Sequence, residues 1–295
     1  MSSPAAAALT PLPATLRLGA VELTVADIGR SVAWWEQAIG LTVLERGSGR
    51  AALGARDGGT KPLVVLVEEP GARPADGYSG LFHVALLTPD RPSLARWLAH
   101  VARERIPLSG MSDHFVSEAI YLRDPDHHGI ELYADRPRAL WEGQVVRMTT
   151  ERLDTDSLLA ELADPVAEPF AGLPAGTTVG HVHLRVAELP GTVAWYRDVL
   201  GFDLMLQYGS QAAFLAAGGY HHHFGANTWE SLGRGQAPAG TATLRHATIV
   251  LPGAAAVDEV AARVAAAGQE PELGPAGGLL VRDPSGNALL LSAAA

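Results

Sequence analysis

The sequence has no cysteine among its 295 residues. Disulfides, thiolate zinc sites and cysteine nucleophiles are therefore excluded, so any metal ligand or nucleophile must come from His, Asp, Glu, Ser, Thr, Tyr or Lys. Charge is also sparse: 18% of residues are charged, and 22 Lys and Arg against 32 Asp and Glu give a formal net charge of −10. A surface that tracks phosphates is not expected on such a chain, which argues against nucleic acid as a partner. No stretch approaches the roughly 18 consecutive apolar residues of a membrane helix, so no membrane is expected either. The Ala- and Pro-rich start, Met1 to Leu16, has neither the basic opening nor the unbroken apolar segment of a signal peptide. It reads as a flexible lead-in over residues 1–15, and the protein is expected to be cytoplasmic.

What is abundant is apolar surface. With 47% hydrophobic residues the chain can bury a substantial core, which excludes disorder over most of its length. Its size fits two domains or one large one. The eleven histidines stand out, because several sit inside apolar strand patterns.

Comparing the chain with itself exposes a repeat. Val21-x-Leu23-x-Val25-Ala26-Asp27 recurs as Val182-x-Leu184-x-Val186-Ala187-Glu188. Both copies continue through Ser31 or Thr192, read as N-caps, then an aromatic pair (Trp34-Trp35, Trp195-Tyr196) and a stop at Gly40 or Gly201. The alternating part is a strand, and the capped part ending at Gly is a helix whose aromatic pair covers the core. Short apolar runs broken by Gly follow, three in the first copy. A second related pair begins at His83-Val84-Ala85-Leu86-Leu87 and at His246-Ala247-Thr248-Ile249-Val250. Each continues into a helical stretch (Ser93 to Arg105, Ala254 to Ala267) and closes with an Asp-Pro turn and a strand.

The chain is thus four βαβββ units, at 16–68, 80–137, 178–230 and 244–294, an α+β architecture. They fall into two halves, 16–137 and 178–295, around a Pro-containing linker, 138–177, with a short helix from Ser157 to Leu162. A single unit leaves one curved sheet face uncovered, so the units should pair into two half-open barrels whose concave faces can hold ligands.

The first strands of units two, three and four carry a histidine at one register, His83, His181 and His246, where unit one has Ala20. The last strand of unit two carries Glu131 in an otherwise apolar run, where unit four has Leu290. A carboxylate in such a strand must be paired, hydrogen-bonded or bound to metal. Pairing units one with two, or three with four, gathers no complete ligand set. Pairing two with three gathers His83, His181 and Glu131, the two-histidine, one-carboxylate set that holds Fe(II) on one face. Units one and four would then form a barrel without a metal, with His246 packed inside it.

Three segments carry a family resemblance: Gly180-His181-Val182-His183-Leu184, Gly219-Tyr220-His221-His222-His223-Phe224-Gly225-Ala226-Asn227-Thr228-Trp229, and Ser112-Asp113-His114-Phe115-Val116-Ser117-Glu118-Ala119-Ile120-Tyr121-Leu122. The chain resembles the vicinal oxygen chelate superfamily, which includes glyoxalases, bleomycin and fosfomycin resistance proteins and extradiol ring-cleaving dioxygenases. The resemblance spans almost the whole chain, and the second and third segments look like catechol-2,3-dioxygenase-type members. Two departures stand out. The family turn Asp-Pro-Asp-Gly-Asn-Gly has His127-His128 in place of Gly-Asn, read as solvated turn residues, and Leu290 prevents a C-terminal half from holding all three ligands.

The resemblance implies a nonheme Fe(II) enzyme, with Mn(II) as the alternative metal, that uses O2 to cleave a small aromatic diol in aromatic breakdown. It implies His83, His181 and Glu131 as metal ligands. It also implies an acid/base histidine in the 221–223 run, His222 or His223, and Tyr121 as a hydrogen-bond partner of a substrate oxygen. His183 is placed to support the ligand histidine, His114 could line the cavity or cap a loop, and His100 reads as a helix-surface residue. A glyoxalase-type isomerase and a noncatalytic small-molecule binder are the alternatives, and assembly into homo-oligomers is left open.

Overall fold

The computed structural model describes residues 10–56, 61–163 and 169–294. Up to residue 9 the expected lead-in lies outside the described residues. Its described end is held rather than free: Leu12 is buried and its N–H donates to the Gly201 carbonyl (2.9 Å).

Each unit is a strand, a helix and three strands, with the first and last strands running parallel. Arg17–Val25 pairs with Val64–Glu68, Gly80–Leu87 with Gly129–Asp135, Thr178–Arg185 with Phe224–Asn227, and Leu244–Leu251 with Ala288–Ala293. Parallel neighbours need a crossover, which the helix and the two intervening strands supply.

The units then pair across the two halves of the sequence. One nine-stranded sheet joins units two and three along the antiparallel pair Gly80–Leu87 and Thr178–Arg185. One eight-stranded sheet joins units one and four along Arg17–Val25 and Leu244–Leu251. Each curls into a half-open barrel. The helices instead associate within a half. Trp97 Nε1–H of the helix Arg91–Glu104 donates to the Ala38 carbonyl (3.0 Å), and Arg263 of the helix Ala254–Ala266 donates to the carbonyls of Val199 and Leu200. Sheets shared across halves and helices shared within them leave one continuous core, which includes Trp35, Trp97, Tyr196 and Phe224.

Local chemistry departs from the sequence reading in several places. The first helix of each half is capped by Asp27 or Glu188, whose side chains accept from Arg30 N–H and Gly191 N–H, rather than by Ser31 or Thr192. A carboxylate at the N-terminus meets both the free N–H groups and the helix dipole. These helices widen into π turns, Trp35–Ile39 and Tyr196–Leu200, and stop at Gly40 (φ 82°) and Gly201 (φ 96°), where left-handed backbone favours glycine. The linker helix is Thr155–Leu159, set earlier than expected because Asp154 caps it. His100 is buried rather than on a helix surface, because its helix packs on unit one. Its Nε2–H donates to the Gln37 carbonyl (2.7 Å) and its ring lies 4.6 Å from Phe170. None of the described helices is long and apolar enough to cross a membrane.

The two Asp-Pro turns lock the sheets together. In unit four, Asn287 donates to the Arg185 carbonyl and Ser285 Oγ accepts from Ala187 N–H. In unit two, His128 donates through Nε2 to the Thr24 carbonyl (2.8 Å), and Asp126 accepts from Ser31 Oγ–H (3.0 Å), Ala26 N–H and Arg30. His128 is therefore buried and does the work of Asn287. Only His127 is a solvated turn residue, held with φ 68° beside Asp76. Asp126→Ala leaves the buried Ser31 hydroxyl unsatisfied, a cost of about 1–3 kcal/mol. Denaturant unfolding should show a loss of about 2 kcal/mol with metal affinity unchanged, and an unchanged midpoint would overturn this role for the turn.

Candidate functional site

Strand alternation sorts the nine-stranded sheet into a core face and a concave face. Val84, Leu86, Ile130, Leu132, Val182 and Leu184 enter the core, while His83, Ala85, Glu131, Tyr133, His181 and His183 take the other face. Ala85 pairs with Glu131 on one side and with His181 on the other. Its small side chain leaves the space into which the three polar side chains converge. Two glycines complete the scaffold. A Cβ at Gly180, within the bulge before His181, would stand 1.8 Å from the Tyr133 hydroxyl, and one at Gly225 would stand 2.7 Å from the His183 ring.

His83 Nε2 and His181 Nε2 lie 3.0 and 3.1 Å from the same oxygen, Glu131 Oε2, and 3.3 Å from each other. All three residues are buried. Burial pushes the Glu131 carboxyl upward, but the imidazoles of His181 and His83 outweigh it and hold it well below the usual carboxylate range. His181 is shifted down, chiefly by burial, and so presents a neutral ring.

A carboxylate buried against two imidazole nitrogens is a poor arrangement without a cation. Donors at adjacent corners of an octahedron with metal–donor distances of about 2.1 Å stand about 3.0 Å apart. The observed triangle of 3.0–3.3 Å therefore fits a divalent metal held on one face. Its other side opens on a cavity of about 380 Å³.

Phe82, Phe214, Trp229 and His183 form an aromatic wall of that cavity, with Phe82 5.3 Å from Trp229 and 5.2 Å from His183. His183 stands in the wall beside the His83–Glu131–His181 triangle rather than behind it. Its Nε2 is buried without a partner among the described residues, and burial holds the ring well below its usual range. Tyr121, paired with Glu131 across the strands, also lines the cavity, and its hydroxyl lies 2.6 Å from His114 Nε2. His114 Nδ1 lies 2.6 Å from the Thr149 carbonyl, so that nitrogen carries the hydrogen, and Nε2 accepts from the Tyr121 hydroxyl. Burial and the nearby Glu131 push the phenol well above its usual range, so it stays protonated.

The His221-His222-His223 run lies in the bend that enters Phe224–Asn227 rather than on the strand itself. The three side chains do not alternate as on a strand: the rings of His221 and His222 meet, their Nδ1 atoms 2.8 Å apart, while His223 turns away. His222 lines the cavity with its ring 4.1 Å from that of His181. Burial, reinforced by neighbouring imidazoles, keeps it neutral. His223 faces away, with Nδ1 accepting from Ala217 N–H (3.2 Å), and does not reach the site. His246 belongs to the other sheet, paired with Glu22, which is itself bonded to Arg50 and Arg245. Ala20 and Leu290 leave that sheet without the matching ligands.

Asp135 was not singled out by the sequence, yet it contacts His221 at 2.9 Å. The available signal was its place two and four residues beyond Tyr133 and Glu131, on the same strand face.

The model of the Glyoxalase/Bleomycin resistance protein/Dioxygenase superfamily matches residues 17–132 and 178–291. A Bacillus subtilis (strain 168) protein named catechol-2,3-dioxygenase is 41% identical over 267 residues, which cover 88% of this chain and 91% of that protein. Among solved structures, one from Bacillus subtilis aligns with a TM-score of 0.68 at 13% identity, covering 96% of this chain and 86% of the other. Glyoxalase I from Zea mays aligns with a TM-score of 0.58 at 17% identity, covering 94% and 92%. At such identities these two speak for the fold alone. The family match over both halves, together with a relative similar along nearly the whole length, means that the chain belongs to the Glyoxalase/Bleomycin resistance protein/Dioxygenase superfamily.

Proposed function

We propose that the chain is an extradiol dioxygenase that binds Fe(II) through His83, His181 and Glu131 and uses O2 to open the ring of a catechol-type diol. The observation that carries this reading is the His–His–Glu triangle opening on an aromatic-walled cavity beside the neutral imidazole of His222. The 41% identity to a protein named catechol-2,3-dioxygenase supports it independently.

When bound, Fe(II) held on one face supplies positions for both oxygens of a catecholate and for dioxygen. Two neutral imidazoles and one carboxylate leave a single net positive charge, which favours an anionic diol. His222 takes a catechol proton at Nε2 and later returns it, a task suited to imidazole near neutral pH. Tyr121, whose own hydrogen is committed to His114, presents lone pairs to a substrate hydroxyl. Phe82, Phe214 and Trp229 receive the ring and exclude water.

The test is to purify the protein anaerobically, load it with Fe(II) or with Mn(II), add catechol and follow oxygen uptake and the yellow ring-opened product. Uptake with one of the two metals is expected. Metal-loaded protein that consumes no oxygen with any catechol would reject the proposal.

A further inference from the structure

His222 is useful as a base only if Nε2, the nitrogen facing the cavity, lacks a hydrogen. A free imidazole can carry its hydrogen on either nitrogen, and the choice follows from what each nitrogen meets. His222 Nδ1 lies 2.8 Å from His221 Nδ1, and His221 Nε2 lies 2.9 Å from Asp135 Oδ1. No described residue hydrogen-bonds His222 Nε2.

The carboxylate of Asp135 can only accept. It takes the Tyr220 hydroxyl hydrogen on Oδ2 (2.9 Å), so Tyr220 in turn accepts from Tyr133 (2.9 Å). On Oδ1 it requires His221 Nε2–H. With its hydrogen on Nε2, His221 presents Nδ1 as the acceptor of the 2.8 Å contact, taking the hydrogen of His222 Nδ1–H. That leaves His222 Nε2 bare. His221 cannot turn to another partner, because it is fully buried with its ring 4.0 Å from Tyr220 and 5.5 Å from Trp141.

We infer that Asp135 and His221 are positioning residues that fix His222 in the Nδ1–H form and keep its unprotonated Nε2 toward the substrate. The inference rests on the reading of His222 as the base. It adds that the base is set by a carboxylate one imidazole away, on the same strand as a metal ligand.

The experiment is a ¹⁵N–¹H long-range correlation spectrum of the full-length, metal-free protein with ¹⁵N-labelled histidine, near neutral pH, with His222→Gln to assign the resonances. Wild type should show His222 as Nδ1–H. His221→Phe keeps an aromatic ring but removes the acceptor, and should move His222 to Nε2–H. Asp135→Ala, a second variant in case the first fails to fold, should leave His222 in a mixture of both forms. In iron-loaded protein both variants should bind metal and catechol as wild type does. General base catalysis contributes about 10²- to 10⁴-fold, so kcat of His221→Phe should fall by up to about 100-fold and that of Asp135→Ala, which keeps part of the Nδ1–H form, by only about twofold, while KM changes little in either. A wild-type His222 carrying its hydrogen on Nε2, or variants that keep the Nδ1–H form, overturn the inference. Nδ1–H in a chain that turns over no catechol upholds the tautomer assignment and rejects only the dioxygenase reading.

Discussion

Glu131→Leu should bind Fe(II) more than about 100-fold more weakly than wild type and consume no oxygen with catechol. Changes to groups that merely orient a ligand weaken metal binding by about 10- to 100-fold, and Glu131 supplies both a donor atom and the only negative charge of the triangle. The variant should still fold, because unit four carries Leu290 at the matching place in the other sheet, where it is buried. Protein melting in the presence and absence of metal is a second readout. Saturating ligand at 100 times Kd stabilises a fold by about 2.7 kcal/mol. Wild type should melt higher when Fe(II) is added anaerobically, and Glu131→Leu should show no shift. A variant that retains stoichiometric metal would remove Glu131 from the ligand set.

Gly129→Ala should be the most damaging single methyl in the site. A Cβ there would lie 2.0 Å from the Phe82 carbonyl oxygen and 3.1 Å from His83 Cβ. The nearer neighbour is backbone and cannot swing aside, so Gly129–Asp135 must move away from Gly80–Leu87. Those two strands carry Glu131 and His83. Overpacking typically costs about 1–3 kcal/mol and occasionally more, and a rigid partner puts this case at about 3 kcal/mol. The melting temperature should drop by roughly 5 °C, with metal affinity falling alongside it. Gly235→Ala, where an added Cβ meets nothing within 4 Å, is the control and should stay within about 0.5 kcal/mol of wild type. Equal melting of the two variants would show that the strands yield more easily than their contact distances imply.

The parts of this protein that were legible in its sequence are those where a residue violates its surroundings. Glu131 in an apolar strand, and histidines at one register of a repeated strand, are anomalies that an amphipathic pattern alone does not produce. Alternation then places them on one face without further information. The N-caps were misplaced because Ser31 and Thr192 look like caps yet lie inside the first turn, where Ser31 serves Asp126 across the sheet boundary. The roles of His100 and His128 were hidden because each depends on an element of another unit, the Gln37 carbonyl in one case and the Thr24 carbonyl in the other. Asp135 and His221 are 86 positions apart, and no local pattern links a strand-end aspartate to an imidazole in a distant bend. The choice between His222 and His223 turned on a single residue of register, which a run of three identical side chains conceals.

The exchange of units between the sheets bears on how the chain folds. Unit one finds its sheet partner only in unit four, and His83 waits for His181, 98 residues further along. While the first half emerges during synthesis, the strands Arg17–Val25 and Gly80–Leu87 both lack their final neighbours, and pairing with each other is the local option. Reaching the native order requires late, long-range strand pairings, which are slow to form. The His83–Glu131–His181 triangle is therefore among the last contacts completed, and the metal-binding signal proposed for it would, during refolding, mark the arrival of the third unit rather than the collapse of the first.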